Sequence, residues 1–511
     1  MEINPAHMDT KRPNLAPKVP SVIIVGGGIA GMILAMALEK SKLPYEIFER
    51  AQEVKALGSA LYFNASTAAL FKQLGIYEDM MAIGKDTTCI QIANEKREVE
   101  YKMDFAEQLE MFGSKGYIVS RPLLYDVLRS NVPPERFHMN KKILTLQQGG
   151  NGALIRCSDG TTIEGDIIVG ADGAHSAVRQ NLYTQLKKEK KLPASDDVGL
   201  PFSTVCLVGQ TQPLDPETFP NLKLQDCQFI RTLGDNKPYS YTYFTTKQRT
   251  ICWMVIHFLL TEESRFENDP FRNSEWGPEA AGAMCDKVRD FPIISGSDRP
   301  WTMGDLIDYT PKELISKVLL EEKIFDTWYN CRTVLIGDAC HKFNPAGGAG
   351  ANNAVHDAVA LANRLQALPD QPSVEDIEKA FKLYKKERFP KVQEAFNSSL
   401  ALKSMIEQNL KGAMVRYMSK NMPLWVNRRV LIRMVSYQPQ LSYLELVPYK
   451  GTIRPAHQQS LADALKKAKK ERAKQKGVHT RLTSLAARSA SSQQELWQQQ
   501  EQELKQIVAV V

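Results

Sequence analysis

The apolar positions of this chain come in two rhythms, and the places where one gives way to the other are informative. Val22–Val25 is an unbroken apolar, β-branched run, as expected of a strand buried on both faces of a parallel sheet. Residues 29–40 then carry Ile33, Leu34, Ala37 and Leu38 at helical spacing, and Tyr45–Phe48 is a second short apolar strand ending at Glu49. The pattern returns at residues 167–169 (IIV) and 334–336 (VLI), the latter followed by a glycine turn and a helix. Residues 63–74 and 123–130 read as helical, and residues 89–103 alternate as strands do. From 202 to 257 the segments STVCLVGQT, CQFIRTL, YSYTYFTT and TICWMVIH predict an antiparallel sheet, with Gly234-Asp235-Asn236 as one turn. Tyr239, Tyr241 and Tyr243 share one face of it. Residues 374–394 and 396–437 read as helices, the second with an apolar face rich in Met and broken by Lys and Arg.

Glycines punctuate these elements at chemically meaningful places. Gly26, Gly28 and Gly31 stand in G-x-G-x-x-G spacing between the first strand and the first helix. That spacing allows a tight turn, a close approach to a pyrophosphate, and close packing of helix on strand. The helix N-terminus adds free N–H groups and a partial positive charge. Glu49, about 20 residues on, stands where an acid accepts hydrogen bonds from ribose hydroxyls and repels a 2′-phosphate. The motif predicts a dinucleotide such as FAD or NAD and does not choose between them.

Two more strand–turn motifs follow, DIIVGADGAHSAVR at 166–179 and VLIGDACHKFNPAGGAGANNAVHDAVAL at 334–361. In this order the three resemble the single-component FAD-dependent monooxygenases of the para-hydroxybenzoate hydroxylase type, over residues 22–365. Within that group the chain is most similar to the fungal branch that includes the indole-diterpene epoxidases. The resemblance implies an α/β (α+β overall) fold: a Rossmann-like FAD-binding domain, an antiparallel-sheet substrate domain and a helical C-terminal extension. It implies that Gly26, Gly28 and Gly31 cradle the FAD pyrophosphate, Glu49 holds the adenosine ribose, and Arg121 contacts FAD. Asp172 and Gly173 would touch FAD and the nicotinamide nucleotide, and Asp338 the ribityl hydroxyls. Gly350, Ala351 and Asn352 would present N–H groups to the flavin pyrimidine edge. Tyr241 and His341 are the candidate catalytic side chains. No metal is expected. The chain departs from the family at Gly348-Ala349-Gly350, where Gly-Gln-Gly is usual, so one side-chain hydrogen bond is lost while the backbone donors remain.

The implied reaction is external monooxygenation of an aromatic or terpenoid-like small molecule. NAD(P)H, a transient co-substrate, reduces FAD. O₂ then adds to give a flavin hydroperoxide, and one oxygen is delivered in a hydroxylation or epoxidation. Two other readings are a flavin reductase or dehydrogenase acting on a prenyl-like substrate, and a non-catalytic flavin-binding scaffold. A halogenase is disfavoured, because no W-x-W-x-I-P surrounds Trp253. A second G-x-G-x-x-G after a strand is absent, which argues against two-Rossmann flavoenzymes.

The expected organisation is a disordered leader (1–20), a first FAD-binding part (21–179), a substrate sheet domain (180–330), a second FAD-binding part (331–365), a helical extension (366–455), and a basic, then Gln/Glu-rich tail (456–511). Within it, residues 180–197, with KKEKK, read as a charged surface loop. The eight scattered cysteines form no C-x-x-C pair, which fits a reduced, cytoplasmic setting. Neither a secretory signal pattern nor a long uncharged apolar window is present, although the Met-bearing helices leave room for peripheral membrane contact. Eight cations and one acid between 466 and 481 equal the whole formal net charge of +7. The remainder is balanced, so no nucleic-acid partner is expected.

Overall fold

The structure, a computed structural model of the chain, describes residues 19–53, 60–235, 237–259, 275–276, 278–345, 348–406 and 410–473. The expected leader and the Gln/Glu-rich tail lie almost wholly outside the described residues. The chain divides into two compact units, Met1–Ser460 and Leu461–Val511. Of the second, residues 461–473 are described and are helical, as their Ala/Lys-rich sequence predicts.

The first unit is built on a six-stranded sheet in the order Tyr329–Asn330, Thr333–Leu335, Ile167–Gly170, Val22–Val25, Tyr45–Phe48, Phe137–His138. All neighbours are parallel except the first pair. The strands of the three sequence motifs thus lie side by side. Every residue of Val22–Val25, Ile167–Gly170 and Thr333–Leu335 is buried, as befits strands covered on both faces. One cover is the helix Ile29–Ser41, buried continuously from Ala30 to Leu38 and packed against the helix Gly350–Gln366. The other is a three-stranded antiparallel sheet, whose Gly165 leaves only 2.8 Å between an added Cβ and Ile23.

A second sheet has eight strands in the order Glu275–Trp276, Ser316–Glu321, Phe202–Gln210, Ile251–Phe258, Tyr239–Thr245, Phe229–Leu233, Cys89–Ala93, Val99–Asp104. It is antiparallel except where Phe229–Leu233 meets Cys89–Ala93. Its last two strands come from the segment expected to serve only the nucleotide-binding part, so the antiparallel sheet predicted from 202 to 257 draws strands from outside 180–330. The expected strand content of 89–103 is borne out.

The two faces of this sheet do different things. Tyr241 and Tyr243 pack with Phe219, Trp253, Phe291 and Trp301 beneath the helices Pro278–Val288 and Met303–Asp308. On the opposite face Phe229, Phe244 and Cys252 meet Ile118, Ala60 and Tyr62 of the nucleotide-binding half.

Residues 180–197 correct an expectation. Half of the supposed charged loop, residues 180–188, belongs to the helix Ala177–Lys188, which buries Val178, Leu182, Tyr183 and Leu186. Those apolar positions hold helical spacing beneath the lysines, and the Ser176 side chain accepts the Arg179 N–H as an N-cap. Asp196, in the remaining loop, is buried and accepts the N–H groups of Asp326 and Thr327. The helical extension comprises Val374–Ile406, Leu410–Lys420 and Leu424–Val435. No described helix is long and apolar enough to cross a membrane.

Candidate active site

The three motifs meet at the C-terminal ends of the parallel strands, where open α/β sheets bind ligands. Steric facts fix the meeting. Gly26 has φ +108°, and a Cβ on it would lie 2.5 Å from the Ala171 carbonyl oxygen and 2.8 Å from the Asp172 Cα. A Cβ on Gly31 would lie 2.0 Å from the Gly26 oxygen. The Ile336 N–H donates to Gly170 (3.0 Å). A Cβ on Gly337 would touch Ala30 (3.3 Å) and Ala354 (3.4 Å), residues near the N-terminal ends of the two packed helices. One pocket edge is therefore built from residues more than three hundred positions apart.

That edge offers what an anionic dinucleotide needs. Gly28 and Gly350 each have no heavy atom within 4 Å of an added Cβ. They open the two long helices, neither of which has a side-chain cap. Unused N–H groups and the positive dipole ends are left to an anion or a carbonyl. Glu49 Oε2 accepts the Gly27 N–H (2.8 Å) and Oε1 the Ala51 N–H (2.9 Å), so its carboxylate first holds the loop. Each oxygen keeps a lone pair for a ribose hydroxyl.

Asp172 Oδ2 accepts the N–H groups of Ala177 (2.7 Å) and Val178 (3.2 Å) at a helix N-terminus. Its Oδ1 is buried with no hydrogen-bond partner among the described residues, and burial pushes the carboxyl above its ordinary range. A buried, unpaired carboxylate oxygen calls for a donor from a ligand. Asp338 Oδ2 accepts from Lys342 Nζ at 2.6 Å. Burial would raise the Asp338 carboxyl, but Lys342, with His341 and the exposed Arg121, outweighs it and holds the group below its ordinary range. Asn352 staples the second helix to the neighbouring strand. Its Nδ2 donates to the Tyr62 carbonyl (2.9 Å) and its Oδ1 accepts the Asn64 N–H (3.2 Å).

Residues 20–211 and 306–399, more than half of the chain, match the family described as FAD binding domain. The chain belongs to this family. Among curated proteins it is similar to the FAD-dependent monooxygenase aurC of Calcarisporium arbuscula, with 26% identity over 78% of this chain and 80% of aurC. It is also similar to the FAD-dependent monooxygenase cle3 of Aspergillus versicolor, with 28% identity over 76% of this chain and 77% of cle3. The fold is that of Klebsiella pneumoniae HpxO, solved with FAD and uric acid: TM-score 0.64, 18% identity, covering 81% of this chain and 96% of HpxO. Tetracycline destructase Tet(51) shares it at TM-score 0.58 and 16% identity, covering 82% of this chain and 98% of Tet(51). The chain is an FAD-dependent monooxygenase, and the residues around the pocket fit its flavin.

In this flavoenzyme the glycines separate two roles. Gly31→Ala is expected to disrupt folding, because backbone blocks its Cβ. Gly28→Ala is expected to fold normally but purify with little flavin, because its Cβ enters open space that a bound pyrophosphate would fill. Circular dichroism beside the visible spectrum checks both. A fully flavinylated Gly28→Ala protein would remove the pyrophosphate from this loop.

Neither candidate catalytic side chain sits where a reacting substrate would reach it. The Tyr241 hydroxyl donates to the Pro292 carbonyl (2.9 Å), and the residue is buried on the sheet face turned away from Tyr62 and Ile118. Alternation had placed the three tyrosines on one face correctly, but that face is the hydrophobic core. Tyr241→Phe is expected to leave product formation within about twofold and to cost about 1 kcal/mol of stability. A kcat fall of a hundredfold with unchanged Tm would restore the catalytic reading.

His341 is fully buried, its Nε2 2.5 Å from Asp357 Oδ2. Asp357 also accepts the Gly337 N–H (2.9 Å) and Arg388 Nε (2.8 Å), while Arg388 Nη2 donates to Asn353 Oδ1 (2.8 Å). His341 therefore braces the Gly337–Asp338 turn from behind. Cys340, His341 and Asp357 bring donor atoms within 4.8 Å of one another, but the Asp357 carboxylate is already neutralised by the Arg388 guanidinium. Despite its burial, His341 and Arg388 hold the Asp357 carboxyl down at about 2. A folded-state value below the unfolded one gives stability that is present above about pH 4 and lost as pH falls toward 2. Acid unfolding in that window is expected to steepen for wild type and to flatten for Asp357→Asn.

Two participants went unnoticed in the sequence. Lys342 is the partner of Asp338 at i,i+4, a spacing that was legible. Arg231 is buried on the Phe229–Phe244 face, with Thr242 Oγ1 as its hydrogen-bond partner (3.2 Å), and burial pushes its guanidinium down to about 10. No local pattern marks it.

Proposed function

We propose that this enzyme uses NAD(P)H and O₂ to hydroxylate or epoxidise a lipophilic or aromatic small molecule, held between the flavin pocket and the apolar sheet face. The observation that carries this is that face itself. Phe229, Phe244 and Cys252 pack with Tyr62, Ile90 and Met254, and Asn352 ties the Tyr62 backbone to the first turn of the helix opened by Gly350. Bound at this edge, FAD supplies the redox and oxygen-activating chemistry. The chain's own residues bind, orient and exclude water. Gly26, Gly28 and Gly31 with the first helix take the pyrophosphate, Glu49 the adenosine ribose, and Asp338 the ribityl hydroxyls. Arg121 lies beside Asp338 and adds positive charge toward the flavin phosphates. Asp172 and Gly173 form the turn that meets FAD and the nicotinamide nucleotide. The N–H groups of Gly350, Ala351 and Asn352 face the flavin pyrimidine edge, where a helix N-terminus stabilises negative charge by about 0.3–2 kcal/mol. Phe229, Phe244 and Met254 keep the site dry and shape it for a substrate with few polar groups.

The test is the visible spectrum of the purified protein, before and after NADPH in oxygen-free buffer. Slow bleaching alone, faster bleaching with a prenylated or aromatic candidate, and product carrying one atom of isotopically labelled O₂ are expected. NADPH oxidation with an unlabelled, reduced product would instead make the protein a reductase.

A further inference from the structure

Of the nineteen exposed large apolar side chains among the described residues, eight fall between residues 410 and 430, too dense a cluster for the scatter usual on soluble surfaces. They lie on Leu410–Lys420 and Leu424–Val435 and the turn between. Leu410 is 91% exposed, Tyr417 71%, Leu424 65% and Trp425 63%, with Met414 and Met418 beside them. Packing does not require these residues. The inner faces already reach the core through Val415, against Met405 and Ile92, and through Leu431 and Val435, against Phe105, Met111 and Phe112. The helices are therefore apolar on a second, outward side.

Charge decides what covers that side. From 410 to 444 the chain has six Lys or Arg residues and no Asp or Glu. Arg428 and Arg433 are paired with Glu107 and Glu394 of neighbouring elements, and Arg416 is half-buried and donates to the Met405 carbonyl. Lys411, Lys420 and Arg429 are exposed, and no ion pair holds them among the described residues. The Arg429 guanidinium lies 6.0 Å from the Trp425 ring centroid. A second copy of the chain would bring these cations against their own kind. An anionic lipid surface satisfies both features, because it takes shallow Leu, Met, Trp and Tyr side chains into the acyl–headgroup boundary while phosphates meet the cations.

We infer that Leu410–Lys420 and Leu424–Val435 form a docking surface that seats the enzyme on an anionic membrane. The surface is independent of which substrate the enzyme oxidises. An enzyme for a lipophilic compound gains from it, since such a compound concentrates in the same bilayer.

Flotation of the flavin-loaded, full-length protein with vesicles tests this. One vesicle set is phosphatidylcholine, the other equal parts phosphatidylcholine and phosphatidylserine. Binding is expected to the anionic set only and to weaken with salt, since screening shortens to about 10 Å at 0.1 M. Leu424→Asp/Trp425→Asp is expected to abolish it, with flavin absorbance and NADPH oxidation unchanged. Lys411→Gln/Lys420→Gln/Arg429→Gln is expected to weaken it about a hundredfold, at about fivefold per cation. Three outcomes would overturn the inference. One is no binding to the anionic vesicles. Another is binding that survives Leu424→Asp/Trp425→Asp but is lost in Lys466→Gln/Lys467→Gln/Lys469→Gln/Lys470→Gln. The last is a wild-type dimer that the Leu424→Asp/Trp425→Asp change splits without any vesicle binding.

Discussion

Arg388→Leu is expected to lose about 3–5 kcal/mol of stability, the cost of stripping one partner from a buried ion pair. Stability of a domain is about 5–15 kcal/mol, so this one side chain would account for a large share of it. The guanidinium is fully buried, donates to Asp357 Oδ1 and Asn353 Oδ1, and lies 5.1 Å from the Tyr437 ring centroid. It thereby ties the helix Val374–Ile406 to the helix Gly350–Gln366. Leucine fills the space but leaves the Asp357 charge with only His341 and the Gly337 N–H. Because the same carboxylate holds the Gly337–Asp338 turn, flavin retention should fall along with stability. Urea unfolding measures the first effect and the absorbance ratio of flavin to protein the second. Arg388→Leu/Asp357→Leu should recover part of the loss, since the buried Asp357 charge is then no longer left short of a partner, while His341 and the Gly337 N–H still lose theirs. A single variant within about 1 kcal/mol of wild type would mean the network does not brace the site.

Asp338→Ala should fold and yet purify with little flavin. Its carboxylate partner, Lys342, is partly exposed, so the ion pair itself contributes little to folding. Toward ribityl hydroxyls the same carboxylate would make charge-assisted hydrogen bonds. Their loss, about 1.5–3 kcal/mol, weakens FAD binding roughly 10- to 150-fold. The alanine variant also leaves the Lys342 ammonium without its partner at the pocket edge. Asp338→Asn, which keeps an acceptor, should fall between the two. Titration of the flavin-free protein with FAD gives the affinities directly. A variant with full FAD content and unchanged affinity would show that Asp338 does not hold the flavin.

What separates these two residues is how far each could be anticipated. Asp338 follows a buried strand and precedes a glycine turn and a helix, so a local pattern announces it. Arg388 is one more cation in KKERFPK, and its partner Asp357 lies 31 positions away on another helix. A buried charge is recognised by what surrounds it, and the surroundings come from elsewhere in the chain. The same holds for Arg231, and for the outward apolar side of Leu410–Lys420, whose residues read equally well as core.

The sequence by itself determined the glycine loop, the three strand–turn motifs and their order, and the concentration of charge in the tail. It could do so because those features are local sterics and periodicity. Gly31 must lack a Cβ wherever the helix crosses so near the Gly26 carbonyl. Only the tertiary structure decided which face of the sheet meets the nucleotide-binding half. Tyr241 and Thr242 alternate by a rule the sequence obeys, yet both faces of that sheet are buried, so alternation carried no sign. Tertiary structure also decided that residues 89–104 extend the eight-stranded sheet through a parallel pairing, and that His341 turns inward to Asp357. Periodicity fixes which residues travel together along an element. Packing against distant elements fixes what they meet.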